Sequence, residues 1–145
     1  MIQKLVAELL GRTLLTGKPE KPTRLVTWED ILFVAPYNHQ ASKLKAALGE
    51  QAKVGSVDKF QGQEAPIVFL SMASSDATES ARGMEFLLDK NRLNVAISRA
   101  QSLAIIVGHP HLGHAQATRI EQLKLLSLYS AITDYIVKDE NEGAI

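Results

Sequence analysis

The sequence predicts an α/β layered domain with a mostly parallel sheet flanked by helices. Three observations carry this. Ile31-Leu32-Phe33-Val34-Ala35-Pro36, Ile67-Val68-Phe69-Leu70 and Leu103-Ala104-Ile105-Ile106-Val107-Gly108 are continuous apolar runs, the pattern of strands buried on both faces. Segments stepping apolar residues by three and four alternate with them, as amphipathic helices do. Glycine and proline mark several of the joins.

Length and composition set the outer limits. The 145 residues suit a single domain, 1–145, able to bury roughly two-thirds of its unfolded surface. Lysine plus arginine balance aspartate plus glutamate at 16 each. Charge therefore gives no independent argument for nucleic acid or an anionic membrane. The absence of cysteine excludes disulfides and thiolate metal sites. Residues 1–6 lack the apolar core of a signal peptide, and no apolar run approaches a membrane span. A soluble, cytoplasmic protein without membrane contact is the expectation.

Ile2, Leu5, Val6, Leu9 and Leu10 form one apolar stripe, which predicts a leading helix. Thr16 to Pro22 reads as a loop, so 1–24 is a helix and loop ahead of the sheet. Gly11 to Lys18 imitates a phosphate loop. It has five residues between its glycines instead of four, and Pro19 stands where a hydroxyl should bind magnesium. It is read as a decoy. After the Ile31 strand, Ala41, Leu44, Ala47 and Leu48 predict a helix with Lys43 and Lys45 outward and Gly49 as its stop. Lys53 to Val57 is a short strand, and Pro66 introduces a strand from Ile67 to Met72. Ser74 to Gly83 is an expected loop, with a helical turn over Met84 to Leu88. Asp89 or Asn91 would cap a helix reaching about Gln101, burying Leu93, Ala96, Ile97 and Ala100. Ile120, Leu123, Leu126, Tyr129, Ile132 and Ile136 predict a final helix with a core-facing stripe. Residues 138–145 form an acidic, fraying tail.

Val54 to Arg99 is the stretch with chemistry. Strand, polar turn, strand, loop and arginine-bearing helix suit gripping a nucleotide phosphate at a sheet edge. Arg92 and Arg99 are seven residues apart and would share one helix border.

The same residues resemble a known family. Ile31 to Gln40 is similar to motif IV of superfamily 1 helicases, Val57 to Glu64 to motif V, and Asn91 to Ala100 to motif VI. Order and spacing match too, most closely the 5′→3′ branch that includes nonsense-mediated-decay helicases and helicase–nuclease fusions. The resemblance implies the second of two RecA-like domains, with three layers and a mostly parallel sheet. It implies ATP with Mg2+ held mainly by a first RecA-like domain, in cis or trans, that this chain lacks. Arg99 would be the arginine finger, stabilising charge on the transferring phosphoryl group. Glu64, Gly62, Gln61 and Arg92 would face the nucleotide. Ser56, Lys59, Tyr37, Asn38 and Gln40 would line the track for single-stranded DNA or RNA.

Several of these residues also have a plainer reading. Asn38 could cap the following helix, Asp58 could make a local turn, and Phe60 suits the core better than a base-stacking platform. His109, His111 and His114 lack acidic or thiolate partners, so no metal site is expected. Gln101 stands where the family often has a second basic residue. The resemblance predicts a helicase motor half, inactive alone. The alternative is a non-enzymatic module that binds nucleic acid or docks on a separate ATP-binding partner.

Overall fold

The computed structural model describes residues 1–60, 62–72 and 90–108, together with 120, 123, 124, 126, 127, 130 and 131, the side chains of Lys90 and Arg92 excepted. The chain divides into two compact units, Met1–Met72 with Asn94–Val107, and Ala73–Leu93 with Gly108–Ile145. The first carries nearly all the described structure. The expected loop over Ser74–Gly83, the turn at Met84–Leu88, the Asp89 cap, the histidines and the tail lie outside the described residues.

The first unit is built on a four-stranded sheet. Its strands are β3 (Ile31–Val34), β4 (Lys53–Gly55), β5 (Ala65–Met72) and β6 (Ala100–Gly108), in the order β4-β3-β5-β6. β3 runs parallel to β4, pairing Leu32 with Lys53 and Val34 with Gly55. It also runs parallel to β5, pairing Ile31 with Ile67 and Val34 with Leu70. Every residue of β3 is buried, as a central strand covered on both faces requires. Pro66 precedes the β3–β5 ladder, so its missing donor leaves that ladder intact. The sheet is the mostly parallel α/β arrangement of a RecA-like domain.

Two helices in this unit follow the sequence pattern closely. α1 (Ile2–Leu9) buries Val6 and packs Ile2, Leu5 and Leu9 on the core. α2 (Asn38–Leu48) buries Leu48 and ends at Gly49, whose φ of 93° is ready-made for glycine. The core centres on Phe33 and Phe69, stacked with ring centroids 5.2 Å apart, with Trp28 6.3 Å from Phe33.

Other expectations are corrected. Ala47 is exposed, and its carbonyl instead accepts a bond from Gln3 Nε2 at 2.6 Å. Lys45 is not turned outward: its ammonium caps the carbonyls of Glu50 and Ala52 at 2.6 and 2.8 Å. The helix α3 (Lys90–Ser98) stops short, because the chain enters β6 at Ala100. Ala96 is buried, but Ile97 is 38% exposed. β6 is not the fully buried strand its apolar run suggested. Among the described strands it is an edge, and Leu103 is 42% exposed. In the second unit, Ile120, Leu123, Lys124, Leu126, Ser127, Ser130 and Ala131 are helical. There Leu126 is buried, while Ile120 and Leu123 are exposed rather than core.

One element was absent from the sequence reading. β1 (Thr13–Leu15) and β2 (Thr23–Leu25) form a separate antiparallel hairpin, pairing Thr13 with Leu25 and Leu15 with Thr23. The decoy loop therefore ends inside a hairpin, where Lys18 opens no helix. A bidentate ion pair from Arg24 to buried Asp30 ties β2 to the 3-10 turn Trp28–Asp30. Asp30 also accepts from the Thr27 amide at 2.8 Å, and Arg24 with these bonds holds its carboxyl down at about 2.

Candidate functional site

Motif-bearing turns emerge from both ends of the central strands. The first lies between β4 and β5. Beyond Gly55, Lys59 donates its amide to the Ser56 carbonyl at 3.1 Å and Phe60 to Val57 at 3.3 Å, making the 3-10 turn Asp58–Phe60. Phe60 is buried, so its core role is the one the structure gives it. Lys59 folds back: its ammonium donates to the Val54 carbonyl at 3.0 Å and lies 6.0 Å from the Phe60 ring centroid. Only glycine at 55 permits this, because a Cβ there would stand 2.4 Å from Lys59 Cδ.

Ser56 and Lys59 line a cavity of about 460 Å³ together with Asn38, Ser42 and Lys45 of α2. Three of the predicted track residues thus come together beyond the carboxyl ends of β3 and β4. Ser42 and Lys45 were missed. The one available signal was their position on the first turns of the helix that follows β3. Asn38 is not the cap; Tyr37 holds that position and Asn38 begins the helix. Tyr37 is half-buried and stacks on His39 at 5.5 Å, and burial raises its phenol above the ordinary value.

Gln40 departs from the track. It is buried, and Nε2 donates to the carbonyl and hydroxyl of Ser71 at 3.1 and 2.9 Å. Its amide therefore fastens α2 to β5 instead of facing solvent. The reason is helical phase: Gln40 lies on the side of α2 that meets the sheet, whereas Asn38 and His39 are exposed.

The second place is the start of β5 and β6. Gly62 has a φ of 78°, and a Cβ there would meet nothing within 4 Å. Within this chain, its value is the left-handed backbone that the turn uses. The turn leads to exposed Glu64, and the next amide, Ala65 N, donates to the Arg99 carbonyl at 3.0 Å. Glu64 and Arg99 are thus held at one sheet edge. Arg99 sits at the junction of α3 and β6, one residue beyond the end of the helix. Arg99 Nε is buried and has no hydrogen-bond partner among the described residues. A buried donor left open costs about 1–3 kcal/mol and calls for an explanation. Glu64 Oε2 instead accepts from Gln101 Nε2 at 3.4 Å. Gln61 and the Arg92 side chain lie outside the described residues. No cluster of metal-ligating side chains occurs among those described.

A RecA-like sheet carrying the three motifs in this order defines a motor domain of the superfamily 1 helicases. A family model described as "AAA domain" matches residues 2–111, and the chain belongs to that family. Among similar proteins, RNA helicase Mov10l1 of Mus musculus is 40% identical over 94 residues, 60% of this chain and 8% of the relative. The Regulator of nonsense transcripts 1 homolog of Drosophila melanogaster is 35% identical over 107 residues, 72% of this chain and 9% of the relative. DNA polymerase alpha-associated DNA helicase A of Schizosaccharomyces pombe is 37% identical over 83 residues, 55% of this chain and 12% of the relative. The chain thus spans about a tenth of the length of these relatives.

Proposed function

We propose that this chain is the second motor domain of an ATP-dependent helicase, presenting Arg99 as an arginine finger to a nucleotide held mainly by a first RecA-like domain. The observation that carries this is the buried, unpartnered Nε of Arg99 beside the Glu64 turn. A guanidinium with an open donor is equipped to meet phosphate oxygens. Bound ATP with Mg2+ would supply the γ-phosphoryl group, whose charge spreads over its oxygens during transfer. Arg99 then contributes fixed positive charge, while Glu64 and Gln101 hold the neighbouring turn in place. The Gly62 turn sets the angle at which Glu64 leaves the sheet.

Ser56, Lys59 and Asn38, with Ser42 and Lys45, form the groove for a single strand of DNA or RNA. Hydroxyls, amides and ammonium groups suit phosphate contacts that do not read sequence. The similar proteins include both an RNA helicase and a DNA helicase, so both kinds of strand belong in the test.

Alone, the chain should not turn over ATP, since a finger cannot assemble the site it completes. A magnesium-dependent ATPase assay on the pure chain is expected to read background. Robust turnover abolished by Arg99→Ala would refute the half-motor reading. In a whole enzyme containing this domain, Arg99→Ala should lower kcat by about 10³-fold with nucleotide affinity little changed.

A further inference from the structure

The hairpin that the helicase reading leaves unused forms one wall of a second cavity, of about 280 Å³. Leu14, Lys18, Lys21 and Arg24 line it from the hairpin side, and Gln101 and Ser102 from β6. No carboxylate and no aromatic ring stands in that lining among the described residues. Arg24 is committed to Asp30, which leaves Lys18 and Lys21 as the available charge. Neither lysine has an acidic partner among the described residues. Glu20 lies between them on the same exposed loop, so the two lysines leave the loop one net positive charge.

The loop that carries the lysines is closed on itself. Thr16 donates its amide to the Pro22 carbonyl at 2.9 Å, and Lys21 to the Lys18 carbonyl at 3.2 Å. The Lys18 amide donates to Thr16 Oγ1 at 3.2 Å, and that hydroxyl donates to the Lys21 carbonyl. Gly17, at a φ of 71°, allows the reversal. The two ammonium stems are therefore carried on a fixed turn, and little backbone ordering is needed on binding. Across from them stand Ser102 and Gln101, whose Nε2 also donates to Glu64 at 3.4 Å.

We propose that this cavity is a phosphate-binding subsite, distinct from the Ser56–Lys59 groove. The described lining residues carry cations and neutral polar groups, which favours an anion, with Glu20 and Glu64 outside the lining. The absence of aromatic groups in the lining leaves nothing to stack a base, so the recognised part is the phosphate itself. Lysine ammonium groups act as point charges and tolerate varied geometry, which fits a monoester or a diester equally. Gln101 also contacts Glu64, so the subsite adjoins the edge that bears Arg99. The inference does not require the domain to be half of a motor.

The test is an amide chemical-shift titration of the 145-residue chain with inorganic phosphate, at ionic strength matched with chloride. Saturable shifts at Gly17, Lys18, Lys21, Gln101 and Ser102 are expected. Lys18→Ala combined with Lys21→Ala should weaken binding at least about tenfold, because both available charges go. Lys43→Ala, an exposed lysine of α2, should leave it unchanged. Separate titrations with ADP and with an oligothymidylate identify the source: the ligand that shifts the same amides at lower concentration carries the phosphate. Absent shifts, or shifts that persist in the double variant, overturn the proposal.

Discussion

Lys59 lies across Gly55, with its stem where a side chain at 55 would have to be. This contact decides how the turn after β4 is built. The ammonium is drawn back to the Val54 carbonyl, while the buried Phe60 ring closes the other side, 3.1 Å from the place of a Cβ. Gly55→Ala should therefore cost about 1–3 kcal/mol, because Lys59 can swing away but the ring cannot. Chemical denaturation would measure it. Polarisation of a labelled oligonucleotide should show weaker binding at a position that offers no side chain of its own.

Gly62 makes the contrasting case. Its surroundings are open, so Gly62→Ala should cost only the left-handed backbone penalty, about 1 kcal/mol. Gly62→Asn should recover most of that loss, since asparagine tolerates this region. If both variants match the wild type in denaturant midpoint, the positive φ is not what the position requires.

The Arg24–Asp30 pair gives the hairpin a dependence on acid. The folded carboxyl titrates at about 2, against 3.8 when unperturbed, chiefly because Arg24 binds the charged form. A depressed folded value means the contribution is complete above the unfolded value. It is lost as pH falls from about 4 through 2. The side chain of Arg24 is 35% exposed, so screening trims the effect to on the order of 1–2 kcal/mol. Urea midpoints at neutral pH, pH 3.5 and pH 2 should show a step that Asp30→Asn removes.

Gln40 should matter through fold, not through ligand. Gln40→Ala removes two bonds to Ser71 and should cost about 1–3 kcal/mol. Gln40→Met should cost less, since it keeps the volume and removes Oε1, a buried acceptor without a partner. A large loss of oligonucleotide affinity at unchanged stability would return Gln40 to the track.

Legibility in the sequence followed burial. The Ile31–Val34 and Ile67–Met72 strands were readable because both faces of each are apolar. The β1–β2 hairpin was not, because three-residue strands with one half-covered position each leave no periodicity to count. The β6 run misled for the opposite reason: its composition is that of a covered strand, but its edge position is set by the neighbours it lacks among the described strands. Ser56, Lys59 and Asn38 were singled out through motif order, and the structure gathers them in one groove. Gln40 shares the motif but not the face, and a spacing rule cannot see which way a helix has turned when it reaches the sheet. Ser42 and Lys45 sat on an ordinary helix pattern with nothing to separate them from Lys43. The backbone link between Ala65 and Arg99 was invisible altogether, since main-chain partners leave no mark in side-chain identity.

The two-stranded hairpin has a practical consequence. It hydrogen-bonds as a sheet of its own, apart from the four strands that hold the core. Its tip, residues 17–20, is exposed. A foreign loop or a small reporter domain grafted there would interrupt no ladder of the central sheet. The chain thus offers a built-in port at the hairpin tip.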